Sequence, residues 1–198
     1  MEDISLIHPD SHKRTKAQKR LMEHIDAAQI LNSKVTIGLL RGIGSGEQAD
    51  EQKEILKKSL VPCIAYAHGK GVRLLLEAIN RYETALLNSA HETADFIREM
   101  NMGDTVGILW DLFHANIEDA DYAECIEYMG PLLGHVHIAD SNRMFPGFGH
   151  TDFHSAYKVL KSSGYDGTIS FECHNLPDST VVKNFSGTFI KNLRALED

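Results

Sequence analysis

Four ionisable side chains fall at or beside the ends of short runs rich in Val, Ile and Leu. Glu77 closes VRLLLE, Asp111 closes VGILWD, His137 lies inside GHVHIAD and Glu172 closes TISFE. Three carboxylates and one imidazole suit a fairly hard divalent cation, with Mn²⁺, Mg²⁺ or Co²⁺ more natural than a thiolate-loving metal. If the runs are parallel strands, their C-terminal ends share one face, and that is the face where α/β barrels keep their chemistry. Any one of these residues alone reads equally as a helix cap or a solvated loop charge. The set is harder to explain that way. Glu77 follows Leu74, Leu75 and Leu76, and Asp111 follows Ile108, Leu109 and Trp110, so both sit inside a core pattern where an uncompensated charge is costly to bury. His135 should point the same way as His137 along the strand and reads as a structural or supporting residue. His150 and His154 read as loop and helix-cap residues.

The elements that must position these groups alternate between strand-like and helix-like, the pattern of a parallel sheet with crossover helices. The expected strands are Val35–Leu40, Val72–Glu77, Val106–Asp111, His135–Asp140 and Thr168–Glu172. Their starts are 29 to 37 residues apart, close to the ~30 residues of a βαβ unit. The expected helices are Ser11–Leu31, Glu47–His68, Glu83–Met100, Asp121–Tyr128, His154–Ser162 and Ser179–Leu196. Gly71, Gly103 and Gly164 stand where a left-handed cap after a helix favours glycine. Pro62 should kink the second helix or mark a restart. The fold class is therefore α/β, one domain over 1–198, with about five βα units. That is too few to close an eight-stranded barrel of ~250 residues. DISLIHPD looks like the tail of a strand entering a loop, so the chain reads as a barrel truncated at its N-terminus.

Composition limits the partners. The chain has 198 residues, is 42% hydrophobic and 24% charged and carries a net charge of −8, an ordinary globular balance that argues against a nucleic-acid surface. No apolar run reaches the roughly 20 residues of a membrane span, and MEDISLIHPD lacks the segments of a signal peptide, so a cytoplasmic location is expected. Cys63, Cys125 and Cys173 show no CxxC spacing and read as reduced thiols. RGIGSGEQ, at Arg41–Gln48, matches neither a Walker motif nor the dinucleotide fingerprint and reads as a flexible barrel-face loop. Were the substrate a sugar phosphate, Arg41 and these glycines would be the first candidates for its phosphate.

Four blocks taken together resemble the xylose-isomerase-like barrels, and within them the D-tagatose/D-psicose 3-epimerases and related sugar or sugar-phosphate isomerases. These are LLLEAINRYE at Leu74–Glu83, WDLFHANIE at Trp110–Glu118, GHVHIADSNRMFPGFGHTDF at Gly134–Phe153 and GYDGTISFE at Gly164–Glu172. The resemblance spans nearly the whole chain. It implies that Glu77, Asp111, His137 and Glu172 ligate the catalytic metal, with Mn²⁺ the first expectation and Mg²⁺, Co²⁺ or Zn²⁺ the other ions. It also implies substrate contacts from Glu83, His114 and Arg143, and the choice of His137 over His135 rests on it. The chain departs from the family in lacking the early strands, which complete the barrel and part of the sugar pocket.

Epimerising a carbon beside a ketone needs two acid/base groups flanking the substrate, one to take a proton and one to return it on the other face. Glu77 and Glu172 could supply them, passing through a cis-enediolate whose charge a metal would offset. The same apparatus would interconvert an aldose and a ketose. The expected partner is a small sugar or sugar phosphate, with no nucleic acid and no membrane, and an open barrel favours a homo-oligomer. A second reading is a metal-binding barrel fragment, catalytically incomplete until another chain or copy closes it. A third, a phosphodiesterase on the same barrel, would need further metal-binding His residues and fits poorly with the negative charge.

Overall fold

A computed structural model describes residues 3–176 and 178–195. Seven α-helices and five strands follow one another as α1 (Ser11–Leu31), β1 (Val35–Ile37), α2 (Ala49–Lys70), β2 (Leu74–Ala78), α3 (Ala90–Glu99), β3 (Val106–Asp111), α4 (Leu112–Glu118), α5 (Tyr122–Met129), β4 (Leu133–Ile138), α6 (Phe153–Ser162), β5 (Ile169–Phe171) and α7 (Val181–Arg194). All strand pairs are parallel and the sheet order is β1-β2-β3-β4-β5. Among the described residues the sheet is therefore open, with β1 and β5 as its edges.

Strand alternation gives the sheet two faces with different tasks. Leu74, Leu76, Ile108, Trp110, Val136 and Ile138 join the helices in one hydrophobic core. Glu77, Asp111 and His137 have the opposite parity and face away from it. Every residue of β2 and β3 is buried, as strands covered on both faces should be. Trp110 is anchored by its indole N–H, which donates to Asp119 Oδ2 at 2.8 Å.

Several sequence expectations shift. The first strand stops at Ile37, because Leu39–Arg41 turns into a 3₁₀ segment. Glu83 is not the start of a helix. Residues 79–89 form a loop, and α3 begins only after Ser89, whose hydroxyl caps the Glu92 N–H. Pro62 sits inside a continuous α2 and does not restart it. Left-handed caps occur at Gly71 and Gly164, but after α3 Asn101 takes that role instead of Gly103. The short α4 was not foreseen. Of the expected last helix, Ser179 and Thr180 precede the observed start at Val181, and Leu196 lies outside the described residues. DISLIHPD is no strand: it turns at Leu6 and Ile7, where the His8 N–H donates to the Ser5 carbonyl at 3.3 Å, although the Leu6 and Ile7 N–H groups donate to Leu40 and Arg41 carbonyls at 2.9 and 3.2 Å.

The largest correction concerns Arg41. Its side chain is fully buried, and its guanidinium donates to the carbonyls of Gly38, Leu86 and Glu77. Thr84 ties the neighbouring loop by donating to the Gly42 and Ile43 carbonyls. Arg41 thus locks the start of the loop to the end of β2 and is not a free phosphate ligand. Arg41→Ala should lower unfolding free energy by about 3 kcal/mol, from lost charge-assisted hydrogen bonds and a new cavity. Urea unfolding measures this, and a change below ~1 kcal/mol would show that the bonds are dispensable.

Candidate metal centre

Parallel pairing carries the four predicted residues to one end of the sheet. Asp111 pairs in register with His137, Glu77 lies one strand away on β2, and Glu172 follows β5 directly. The Glu172 N–H extends the ladder by donating to the Ile138 carbonyl at 3.1 Å. One ligand atom from each of Glu77, Asp111, His137 and Glu172 falls within 4.8 Å of the others. Glu77 and Asp111 are buried, His137 is half-buried and Glu172 is exposed. Gly38, at the end of β1, makes room for this arrangement: a Cβ there would stand 2.8 Å from Glu77 Oε2.

The donor set fits a cation. His137 Nδ1 is buried, 3.1 Å from Glu172 Oε2 and 3.8 Å from Asp111 Oδ2, yet aligned for a hydrogen bond with neither. A buried ring nitrogen facing two carboxylate oxygens is costly unless something sits between them. Arg143 lends positive charge here, its Nη1 lying 2.6 Å from Asp111 Oδ2 and its Nη2 bonding Glu172. The guanidinium lies over the Phe113 ring at 4.7 Å. The Arg143 backbone is left-handed, with φ of 63°, held by its N–H to the Asp140 carbonyl and by the His174 N–H to its own carbonyl.

Burial pushes the Glu77 carboxyl up from its ordinary 4.5 to about 7, with Glu172 and Asp111 adding repulsion. Burial also raises Asp111, against the pull of Arg143. The neighbouring His137 leads the causes that hold Glu172 low, at about 2. Burial opposes charge on His137, but Glu172, Asp111 and Glu77 outweigh it and raise the imidazole.

These shifts set the pH dependence of the metal-free protein. Glu77, Asp111 and His137 each bind a proton more tightly in the folded state, so their contributions are lost as pH rises through the folded values. Glu172 acts oppositely, but its gain is complete by about pH 5. Burial holds His114 and His135 low, so up to about pH 6.5 they act against this loss, and the melting temperature of chelated protein should therefore fall between about pH 6.5 and pH 8. The Glu77 shift alone corresponds to at most ~3 kcal/mol. A flat or rising curve from calorimetry across that range would contradict these environments.

The expected substrate-contacting residues are also here. His114, on α4, is buried with Nε2 3.7 Å from Glu77 Oε1, and burial lowers its pKa to about 4. Glu83 Oε1 is 3.9 Å from His114 Nδ1 and accepts from Asn80 Nδ2 at 3.0 Å. His135 is excluded as a ligand by its neighbours, since its two ring nitrogens pair with Thr168 and Ser170 hydroxyls at 2.7 Å. His150 and His154 are exposed and outside the cluster.

Sequence reasoning missed Asn80 and Asp140. Asp140, 1% exposed, accepts N–H groups from Ser141, Gly147 and Thr151 at 2.7–3.0 Å and so anchors the loop that carries Arg143. Their only sequence signal is an Asn or Asp just past a strand, where such side chains organise turns. A second cluster, His91, Asp119 and Cys125, also has its ligand atoms within 4.8 Å. The Asp119 oxygens already accept from the Trp110 indole and the Ala90 N–H, and His91 Nε2 pairs with Glu124 at 2.7 Å. That cluster joins α3 to α5 and the back of β3.

A family model described as xylose isomerase-like TIM barrel matches residues 1–191. The chain is 33% identical over 156 residues to a ketose 3-epimerase from Arthrobacter globiformis, covering 79% of this chain and 46% of that protein. A D-allulose 3-epimerase from a Methylomonas species, solved with D-allulose, superposes with a TM-score of 0.81 at 28% identity, over 96% of this chain and 66% of that one. A 3-keto-D-glucoside 4-epimerase from E. coli superposes at 0.84 with 24% identity, over 96% and 76%, a likeness of fold. The chain spans about half the length of the curated relatives it matches, or less.

Proposed function

Because the chain belongs to the xylose isomerase-like TIM barrel family, we propose that it acts in metal-dependent epimerisation or isomerisation of a ketose. The observation that carries this reading is the gathering of Glu77, Asp111, His137 and Glu172 from four successive βα units, with ligand atoms within 4.8 Å. These four would hold the ion, Mn²⁺ by first preference. When bound, it would polarise the sugar carbonyl and offset the charge that develops on proton removal.

The chain's own groups supply the proton transfers. Glu77 and Glu172 would serve as the acid/base pair, one taking the proton from the carbon beside the carbonyl and the other returning it on the opposite face, through a cis-enediolate. Arg143 and His114 would donate to the sugar oxygens as they gain charge. With Arg41 enclosed by backbone carbonyls, an unphosphorylated sugar is favoured over a sugar phosphate.

A second reading rests on the open sheet, and on Ile30, Leu31 and Leu39 standing exposed beside β1. On this view the chain is a metal-binding portion of a barrel that works only when a partner chain or a second copy completes it. A cytoplasmic homo-oligomer belongs to the same proposal. None of the described helices is long and apolar enough to cross a membrane.

Incubating Mn²⁺-loaded protein in D₂O with a panel of ketoses tests both. Deuterium entering at a carbon beside the carbonyl is the expected result for a competent enzyme. No exchange with any sugar, once bound metal is demonstrated, would overturn that in favour of the incomplete portion.

A further inference from the structure

Asn80 lies in the loop after β2, 1% exposed, and its amide touches three groups. The Tyr82 N–H donates to its Oδ1 at 3.0 Å. Its Nδ2 lies 3.0 Å from Glu83 Oε1 and 2.7 Å from His114 Nδ1. Two of these partners leave no choice of role. A backbone N–H only donates, and an ionised carboxylate only accepts. Turning the amide over would set two donors against each other at Tyr82 and two acceptors against each other at Glu83. The nitrogen must therefore face His114, and its second hydrogen must be donated to Nδ1.

We infer that Asn80 is a positioning residue that fixes His114 as the neutral tautomer with its proton on Nε2, making it a hydrogen-bond donor into the space beside Glu77. Nδ1, as acceptor, carries no proton, so the ring's one N–H is at Nε2, 3.7 Å from Glu77 Oε1. The order of control runs from Glu83 and Tyr82 through Asn80 to His114. A sugar oxygen there would meet a fixed N–H rather than a repelling lone pair, and stabilisation would grow as that oxygen gains charge. His114 could not accept a proton at the atom facing the pocket, which leaves proton removal to the carboxylates. The catalytic consequence rests on the proposed ketose chemistry, but the tautomer does not.

Long-range ¹H–¹⁵N correlation spectra of uniformly labelled protein, chelated and with Mg²⁺, read the tautomer directly. The His114 signals are assigned by their loss in His114→Gln. A pyrrole-type Nε2 and a pyridine-type Nδ1 are expected at neutral pH, and a protonated Nδ1 in either form would overturn the inference. In Asn80→Asp the introduced carboxylate should draw a proton onto Nδ1, and an unchanged pattern would likewise overturn it. If the deuterium exchange assay shows turnover, that variant should lose roughly 10²- to 10³-fold in kcat with a smaller change in KM, the scale of removing one oriented donor. Should the variant fail to fold, the wild-type spectrum still decides. An enzyme that proves inactive yet shows the Nε2–H tautomer would sink the ketose reading and leave this one standing.

Discussion

Glu172→Gln should reduce turnover at least a thousandfold while leaving the fold nearly untouched. The substitution is isosteric, and Glu172 is exposed at the end of the least buried strand, so the fold should persist, with about 1–2 kcal/mol lost from its pairing with Arg143 and His137. Its chemical cost is larger. An amide cannot take a proton from carbon and is a poor ligand for a hard cation, and losing a general base alone typically costs ~10²- to 10⁴-fold. Deuterium exchange beside the ketone, with circular dichroism and urea unfolding on the same samples, separates the two effects. Activity within tenfold of the unmodified protein would remove Glu172 from the mechanism. Glu77→Gln offers the contrast. It should abolish exchange as well, yet stabilise the metal-free protein near pH 8, because it removes a buried charge that the fold resists.

Mn²⁺ should raise the melting temperature markedly. A ligand that binds only the native state at a hundred times its Kd contributes ~2.7 kcal/mol, on the order of 5–10 °C for a chain of this size. The gain should be larger at pH 8 than at pH 6, since Glu77 and Asp111 must shed protons that their environments retain. Asp111→Asn should erase most of the shift, as this residue presents a fully buried oxygen to the cluster. Differential scanning calorimetry after chelation and metal addition is the measurement. No shift at saturating Mn²⁺ would rule out a four-ligand site.

Much of this architecture was legible from strand-end residues, for a physical reason. Runs such as Val106–Asp111 are apolar on both faces and stop at a charge, so the sequence locates both a buried strand and the point where it meets the site. The reading failed where local rules competed. A helix starting at Glu83 looked reasonable by composition, but the Asn80 side chain folds the chain into a turn and Ser89 supplies the cap further on. Arg41 beside glycines read as part of a flexible barrel-face loop, and as a phosphate ligand only for a phosphorylated substrate. Its burial depends on carbonyls 36 and 45 residues away, which no local pattern reveals. Asn80 and Asp140 were passed over because their importance lies in the groups they orient.

The sheet order reproduces the chain order, and this governs how the molecule comes apart. Among the described residues each strand pairs only with its neighbours in sequence, so unfolding can begin at the edge units much as in a repeat array, although Lys34, just before β1, also donates to the Gly134 carbonyl on β4 at 2.6 Å. Protection is graded along that array: β2 and β3 are wholly buried, whereas β5 is half-buried throughout and α7 buries only Val181 and Leu193. The last unit therefore opens at less cost than the whole, and amide hydrogen exchange there should be fastest among the strands. Glu77 and Asp111 ride on the wholly buried strands and His137 on the mostly buried β4, while Glu172 follows the strand that frays, so the metal centre can be dismantled while most of the fold is intact.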